Sequence, residues 1–150
     1  MAMTMSGEYQ LAATPQVVWN KLNDAGVLKS CIPGCEELEK VSDTEFTAVA
    51  VQKIGPVKAR FKGRVTLSDI DPPHGYKISG QGEGGVAGFA KGGATVKLEP
   101  KDGGTLLSYD VEANIGGKLA QLGQRLINSA AKNVADKFFK NFADAVTAQQ

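Results

Sequence analysis

The 150 residues of this chain are enough for one domain with a single hydrophobic core. A formal net charge of +1, with 22% charged residues, is ordinary for a globular protein and argues against nucleic-acid binding. No stretch approaches the roughly 18 apolar residues of a membrane-spanning helix, and the N-terminus lacks signal-peptide order, so we expect a cytoplasmic protein. We predict one domain over residues 1–150 with its core at 5–145, and we assign the first four residues no role.

The beginning of the chain predicts one strand followed by two short helices. Polar and apolar residues alternate over Ser6–Ala12, which is typical of a strand. Thr14 suits the N-cap of the next helix and Pro15 its first position. A second short helix is predicted over Ala25–Ser30, and Ile32-Pro33-Gly34 ends it.

A series of strands follows. Their connections are short and rich in Gly, Pro, Asp and Ser, which indicates an antiparallel meander. The predicted strands are Glu36–Val41, Glu45–Ile54, Val57–Ile70, Tyr76–Gln81, Ala90–Glu99 and Thr105–Ile115.

The longest of these strands carries a basic stripe. Its apolar residues point to one face, and Lys58, Arg60, Lys62 and Arg64 point to the other. The stripe could dock an acidic partner, but we favour a solvated face whose charges pair with Asp110 and Glu112.

Half of the residues from Gly80 to Gly93 are glycine, and Phe89 is the one large side chain among them. One interpretation is a long hairpin whose turn needs positive φ angles. The other is a flexible flap that carries Phe89 over the mouth of a cavity. No βαβ unit surrounds these glycines, so a phosphate-binding loop is excluded.

From Lys118 onward, apolar residues recur every three or four positions. This spacing predicts a helix of about 30 residues, whose apolar stripe must be covered by the sheet.

The sequence offers little for catalysis. His74, the single histidine, lies in a Pro- and Gly-rich turn. Cys31 and Cys35 flank a helix break, and we interpret them as structural thiols rather than as a disulfide or metal site. We therefore assign no catalytic residue and no metal ligand, and expect no enzymatic activity.

A binding role has better support, because small side chains recur on the inward-facing sides of several strands and of the C-terminal helix. Such residues either interdigitate in a filled core or leave room for an apolar ligand. For a ligand, Tyr76 and Tyr109 could donate hydrogen bonds to a carbonyl. The predicted lining is Phe46, Phe61, Gly63, Val65, Leu67, Tyr76, Ile78, Phe89, Val96, Leu98, Leu107, Tyr109, Val111, Leu122 and Leu126.

Four motifs follow one another along the chain. They are T-P-x-x-V-W-x-x-L at Thr14–Leu22, V-L-K-S-C-I-P-G-C-E at Val27–Glu36, I-G-P-V-K-A-R-F-K-G at Ile54–Gly63 and G-G-V-A-G-F-A-K-G-G at Gly84–Gly93. In this order they resemble the family of the carbon monoxide dehydrogenase G subunit, and the resemblance covers about Met5 to Ala145. It implies an α+β, START-like helix-grip fold, in which a curved antiparallel sheet wraps around a long C-terminal helix and two short helices follow the first strand.

The resemblance also implies a function. Members of this family look to be accessory proteins of molybdenum hydroxylases, which they recruit to the membrane and couple to the quinone pool. The expected ligand is then menaquinone or ubiquinone, with no intrinsic cofactor. The alternatives are an adaptor that docks the partner enzyme without a ligand, and a START-like enzyme acting on a bound aromatic.

Some members of that family carry a further C-terminal anchoring segment, whereas this sequence ends at Gln150. We therefore expect only peripheral contact with the inner face of the cell membrane, weak and sensitive to salt.

Overall fold

Seven strands and three α-helices make up the part of the chain described by the computed structural model, residues 1–147. The helices are α1 (Pro15–Leu22), α2 (Ala25–Cys31) and α3 (Gln124–Thr147), and two 3₁₀ segments occupy Gly85–Ala87 and Gly117–Leu122. Residues 148–150, which belong to the predicted domain, lie outside the described residues. The strands are β1 (Ala2–Leu11), β2 (Cys35–Ser42), β3 (Glu45–Ile54), β4 (Val57–Asp71), β5 (Gly75–Glu83), β6 (Phe89–Lys101) and β7 (Gly104–Gly116).

The strands form one antiparallel sheet in the order β1-β7-β6-β5-β4-β3-β2. α3 contacts both β1, at one edge of the sheet, and β3, next to the other edge. A single helix can touch strands so far apart only if the sheet curves around it. The predicted helix-grip architecture, with two short helices after the first strand, is therefore confirmed.

The predicted cap of the first short helix is confirmed, and the second short helix has a side-chain cap that was not predicted. The Thr14 hydroxyl accepts a hydrogen bond from the Val17 amide at 3.4 Å, and Pro15 is the first residue of α1. The Asp24 carboxylate accepts from the amides of Gly26 and Val27 at 2.9 and 3.2 Å. Each cap thus satisfies amides that have no partner inside the helix.

The C-terminal helix begins later than predicted. Residues Gly117–Leu122 form a 3₁₀ helix, and α3 starts only at Gln124. Gly123, at φ +91°, separates the two segments because it has a backbone conformation that the α-helix cannot contain. Leu119 still packs inward, so the apolar period continued across the break and concealed it.

The first residues have a structural role that the sequence did not suggest. β1 begins at Ala2, and Met3 is buried at 7% exposure. The terminal amine donates to the Ile115 carbonyl at 2.9 Å, and the Ile115 amide donates to the Met1 carbonyl at 2.7 Å. The residues that were assigned no role therefore form a paired edge of the sheet.

The glycine-rich segment is a hairpin. β5 and β6 pair through it, with Gly80 opposite Gly92 and Gly82 opposite Ala90. Its tip is the 3₁₀ turn Gly85–Ala87, and Gly88 has the positive φ, +120°, that the hairpin interpretation required.

The basic stripe of β4 lies on the exposed face, as predicted, but its ion pairs are different. Arg60 pairs with Glu36 at 3.0 Å and Arg64 with Glu45 at 2.8 Å. The predicted partners, Asp110 and Glu112, lie on β7, which β5 and β6 separate from β4. Both observed pairs are exposed and contribute little to stability.

Two apolar clusters fill the space between sheet and helices. The main core lies among the sheet, α1, α2 and the C-terminal half of α3, and includes the fully buried Leu107, Phe142 and Val146. A smaller cluster, around Ile115 and Ile127, lies beneath the N-terminal half of α3.

Removing the hydroxyl of Thr105 should destabilise the fold. Thr105 is fully buried, and its Oγ1 donates to the Ala13 carbonyl at 2.7 Å. Thr105→Val keeps the shape but leaves that carbonyl unsatisfied, which costs about 1–3 kcal/mol in the free energy of unfolding. Urea denaturation measures this loss, with Thr66→Val on the exposed face of β4 as the control. Equal stability of the two variants would show that the buried hydroxyl contributes nothing.

Candidate ligand-binding cleft

A cleft of about 460 Å³ lies between the sheet and the N-terminal half of α3. This volume falls within the range of about 300–1,000 Å³ that is typical of small-molecule sites. We call it the apolar cleft. Its lining is Met3, Met5, Ile32, Pro33, Gln52, Ile54, Phe61, Ala90, Ala113, Ile115, Leu119, Ile127, Ala130, Ala131, Val134, Ala135 and Phe138.

The cleft exists because small side chains face each other across it. α3 contributes Ala130, Ala131 and Ala135, and the sheet contributes Ala90 and Ala113. Methyl groups on both walls leave volume that larger residues would fill. Further along α3 the inward residues become aromatic, and there the space is closed by the main core.

Larger side chains limit the cleft at its margins. Phe61 and Leu119 lie toward the end where the β5–β6 hairpin and the 3₁₀ helix meet, while Met3 and Met5 line the β1 side. Unbranched thioether side chains adapt their shape easily, so the β1 wall can adjust to ligands of different outline.

Gln52 is the polar side chain of this lining, and no charged side chain lines the cleft among residues 1–147. Its Nε2 donates to the Pro33 carbonyl at 2.8 Å, which fixes the amide against the loop after α2. The second amide hydrogen and the oxygen have no hydrogen-bond partner within the described chain. The cleft therefore suits an apolar molecule with a carbonyl near Gln52.

The predicted lining and the observed lining share Phe61 alone. Most of the other predicted residues face inward but pack in the main core, at the end that α1, α2 and the second half of α3 cover. Leu122 packs against the smaller cluster instead. Those in the main core or packed against it are Phe46, Val65, Leu67, Tyr76, Ile78, Val96, Leu98, Leu107, Tyr109 and Val111.

The two tyrosines proposed to bind a ligand carbonyl lie outside the cleft. Tyr76 meets the Trp19 ring edge-on, with centroids 5.3 Å apart, and burial raises its pKa well above the usual value. Tyr109 stacks on Phe139 at 5.4 Å. Gln52 is the polar residue that reaches the cleft, and the sequence offered no signal for it.

The remaining predicted residues lie at surfaces or strand contacts. A Cβ on Gly63 would meet the Gln81 carbonyl at 3.3 Å, so this position is limited by the neighbouring strand rather than by the cleft. Phe89 is 46% exposed, and its ring covers Gly116. Leu126 is 36% exposed. A variant designed to fill the cleft must therefore be made at a position other than Gly63, Phe89 or Leu126.

The two cysteines are free thiols beside the loop that borders the cleft. Cys31 is buried and Cys35 half-buried, and burial raises the pKa of both. A raised pKa leaves little thiolate at neutral pH, which is typical of structural rather than reactive cysteines. Among residues 1–147, no group of His, Cys, Asp and Glu side chains could hold a metal ion.

Comparison with solved structures supports the fold. A crystal structure of a conserved protein from Geobacillus kaustophilus is 34% identical, with 97% of this chain and 96% of that chain covered, at a TM-score of 0.91. Ara h 8.0201 is 17% identical, with 99% and 100% covered, at a TM-score of 0.69. The ZhuI aromatase/cyclase of Streptomyces sp. R1128 is 11% identical, with 98% and 94% covered, at a TM-score of 0.71.

The last two similarities establish the START-like fold and nothing further. No curated protein matches the chain. None of the helices described for residues 1–147 is long and apolar enough to span a bilayer. The profile of the family of the carbon monoxide dehydrogenase G subunit (CoxG) matches residues 7–147, and this chain therefore belongs to that family.

Proposed function

We propose that this protein is a non-catalytic accessory protein of a molybdenum hydroxylase of the carbon monoxide dehydrogenase type. In this proposal it carries a respiratory quinone, menaquinone or ubiquinone, in the apolar cleft and so links the enzyme to the quinone pool at the inner face of the cell membrane. Family membership supports the partner. The observation that supports the choice of ligand is a 460 Å³ cleft whose lining, among residues 1–147, holds no charged side chain and a single amide, that of Gln52.

The two kinds of lining match the two parts of a quinone. The isoprenoid tail would lie against the alanines of α3 and the methionines of β1, while a ring carbonyl would accept the second amide hydrogen of Gln52. Moving the tail from bilayer to cleft exchanges one apolar environment for another, so little hydrophobic free energy changes. Binding should then be reversible, as a carrier requires.

We assign no redox chemistry to the cleft itself. Among residues 1–147, no side chain that lines it is titratable, so the electrons and protons that convert quinone to quinol would come from the partner enzyme and from water. The protein would shield the tail and orient the ring.

Native mass spectrometry of the purified protein with a short-tailed quinone tests the proposal. We expect one quinone per chain, bound without covalent linkage and lost on solvent extraction. A protein that binds its partner enzyme but never a quinone would instead be an adaptor, and the carrier role would be wrong.

A further inference from the structure

The hairpin connections of the sheet alternate between its two ends, which places three segments together. The β3–β4 turn at Gly55, the 3₁₀ turn Gly85–Ala87 and the 3₁₀ helix Gly117–Leu122 share one end. Contacts confirm this, since the two 3₁₀ segments pack on each other, and a Cβ on Gly55 would lie 2.8 Å from Leu126 Cδ2. We call these segments, with their flanking residues, the hairpin end.

The hairpin end exposes large apolar side chains. Val86, at the tip of the 3₁₀ turn, is 84% exposed, and Phe89 and Leu126 are 46% and 36% exposed. Most large apolar residues of this fold are buried in two clusters, and the exposure of these three to solvent does not stabilise it. Clustered exposed apolar groups typically mark a contact with a membrane or a partner.

The same end is basic. Lys53 and Lys58 flank the β3–β4 turn, Lys118 lies in the 3₁₀ helix and Arg125 in the first turn of α3. All four are exposed, and none makes an ion pair within the described part of the chain. The acidic side chains near this end are Glu83, in register with Lys62, and Glu36 and Glu37 at the start of β2, of which Glu36 pairs with Arg60.

The opposite end is more acidic. Its turns carry Asp43, Asp69, Asp71 and Asp102, although Lys101 adjoins Asp102 and Lys77 pairs with Asp69. The net charge of the chain is only +1, so its charges are separated rather than in excess. Such a distribution orients a protein on a charged surface.

Arg125 is also poorly placed for helix stability. The N-terminus of an α-helix carries partial positive charge and favours acidic residues, yet the first turn of α3 has none. Arg125 therefore gains nothing from the helix dipole and, being exposed, is accessible to an external negative charge.

We propose that the hairpin end docks on anionic lipid headgroups, with Val86 and Phe89 entering the interface and the four cations facing the phosphates. This proposal rests on the proposed quinone function. The hairpin end also adjoins the apolar cleft. Phe61, a residue of the cleft lining, lies against Gly84 at the base of the hairpin tip. Leu119, a second lining residue, belongs to the 3₁₀ helix of this end. A quinone could then pass between bilayer and cleft without crossing bulk water.

A membrane fits this surface better than a folded protein. Val86 protrudes from a turn tip, whereas a protein partner would be expected to meet a flatter surface with paired polar groups around its apolar centre. A protruding apolar tip, at an end where the four cations form no ion pair within the described part of the chain, is typical of interfacial membrane binding.

Flotation of the purified chain with phosphatidylcholine vesicles, with and without phosphatidylglycerol, tests the docking. Wild type should float with the anionic vesicles and release as salt rises. Lys118→Glu changes the charge by two units, and each unit should weaken binding by about fivefold. Val86→Asp should weaken binding several-fold. The matched controls at the opposite end, Lys101→Glu and Val41→Asp, make the same changes at exposed positions and should bind as wild type.

Equal flotation of Val86→Asp and Val41→Asp, or indifference to phosphatidylglycerol, would overturn the docking. If the chain bound only the partner enzyme and not vesicles, and Val86→Asp abolished that binding, the lipid docking would also be wrong and this end would be a protein interface. Quinone titration without vesicles keeps the two proposals distinct. If the chain binds quinone but does not float, the docking is wrong and the carrier function stands. If it floats but does not bind quinone, the carrier function is wrong and the docking stands.

Discussion

Ala130→Phe should lower the affinity for a short-tailed quinone at least tenfold while the protein stays folded. Ala130 is half-buried on the helix wall of the apolar cleft, and a phenyl group there would occupy part of its 460 Å³. The added ring points into unfilled space, so the overpacking that normally accompanies small-to-large changes in a core should be small. Isothermal titration or native mass spectrometry measures the loss.

Ser129→Phe is the matched control. Ser129 is the preceding residue of α3 and is exposed, so the same ring is added outside the cleft. Its affinity should equal that of wild type. If both variants bind quinone as the unmodified chain does, the ligand does not occupy this cleft.

Phe142→Ala should cost about 3–5 kcal/mol in the free energy of unfolding. Phe142 is fully buried in the main core, where its ring stacks on Phe138 with centroids 5.7 Å apart. Truncation leaves a void that helix and sheet cannot close, because both are fixed by backbone hydrogen bonds. Thermal unfolding should show a fall in Tm of roughly 10 °C.

Phe89→Ala provides the comparison, because it removes the same ring from a site that is 46% exposed. It should cost roughly 1 kcal/mol or less. A large loss for Phe89→Ala, or a small one for Phe142→Ala, would reverse our assignment of core and surface and would contradict the hairpin end as an exposed contact surface.

The sheet could be predicted from the sequence because period-two alternation leaves few alternatives. In β4, inward and outward residues alternate from Val57 to Leu67, and a slip of one position would turn its lysines and arginines into the core. The turns could be predicted equally well, because the connections between the strands contain residues such as Gly, Pro, Asp and Ser, which favour turns.

The start of α3 could not be predicted from periodicity. Leu119 and Leu122 continue the apolar spacing of the helix backwards, although they belong to a 3₁₀ segment. Gly123 was the available signal, because a glycine between two helical patterns can mark a change of backbone conformation.

The position of the cleft depends on tertiary packing that strand parity does not contain. Alternation shows that Leu98 and Ala113 both face inward, but it does not show what lies above them. α1, α2 and the aromatic half of α3 cover Leu98, whereas the alanines of α3 face Ala113. The small residues of the helix, rather than the large ones of the sheet, were the better guide to the site.

Photolabelling tests most directly whether a quinone occupies the apolar cleft. A photoreactive quinone would be bound to the intact protein, activated by light, and located by peptide mass spectrometry. We predict labelling within residues 113–119 and 127–138, which form the sheet and helix walls, with loss of that labelling in Ala130→Phe. Labelling confined to the exposed face of β4, or unchanged in Ala130→Phe, would show that the quinone does not occupy this cleft.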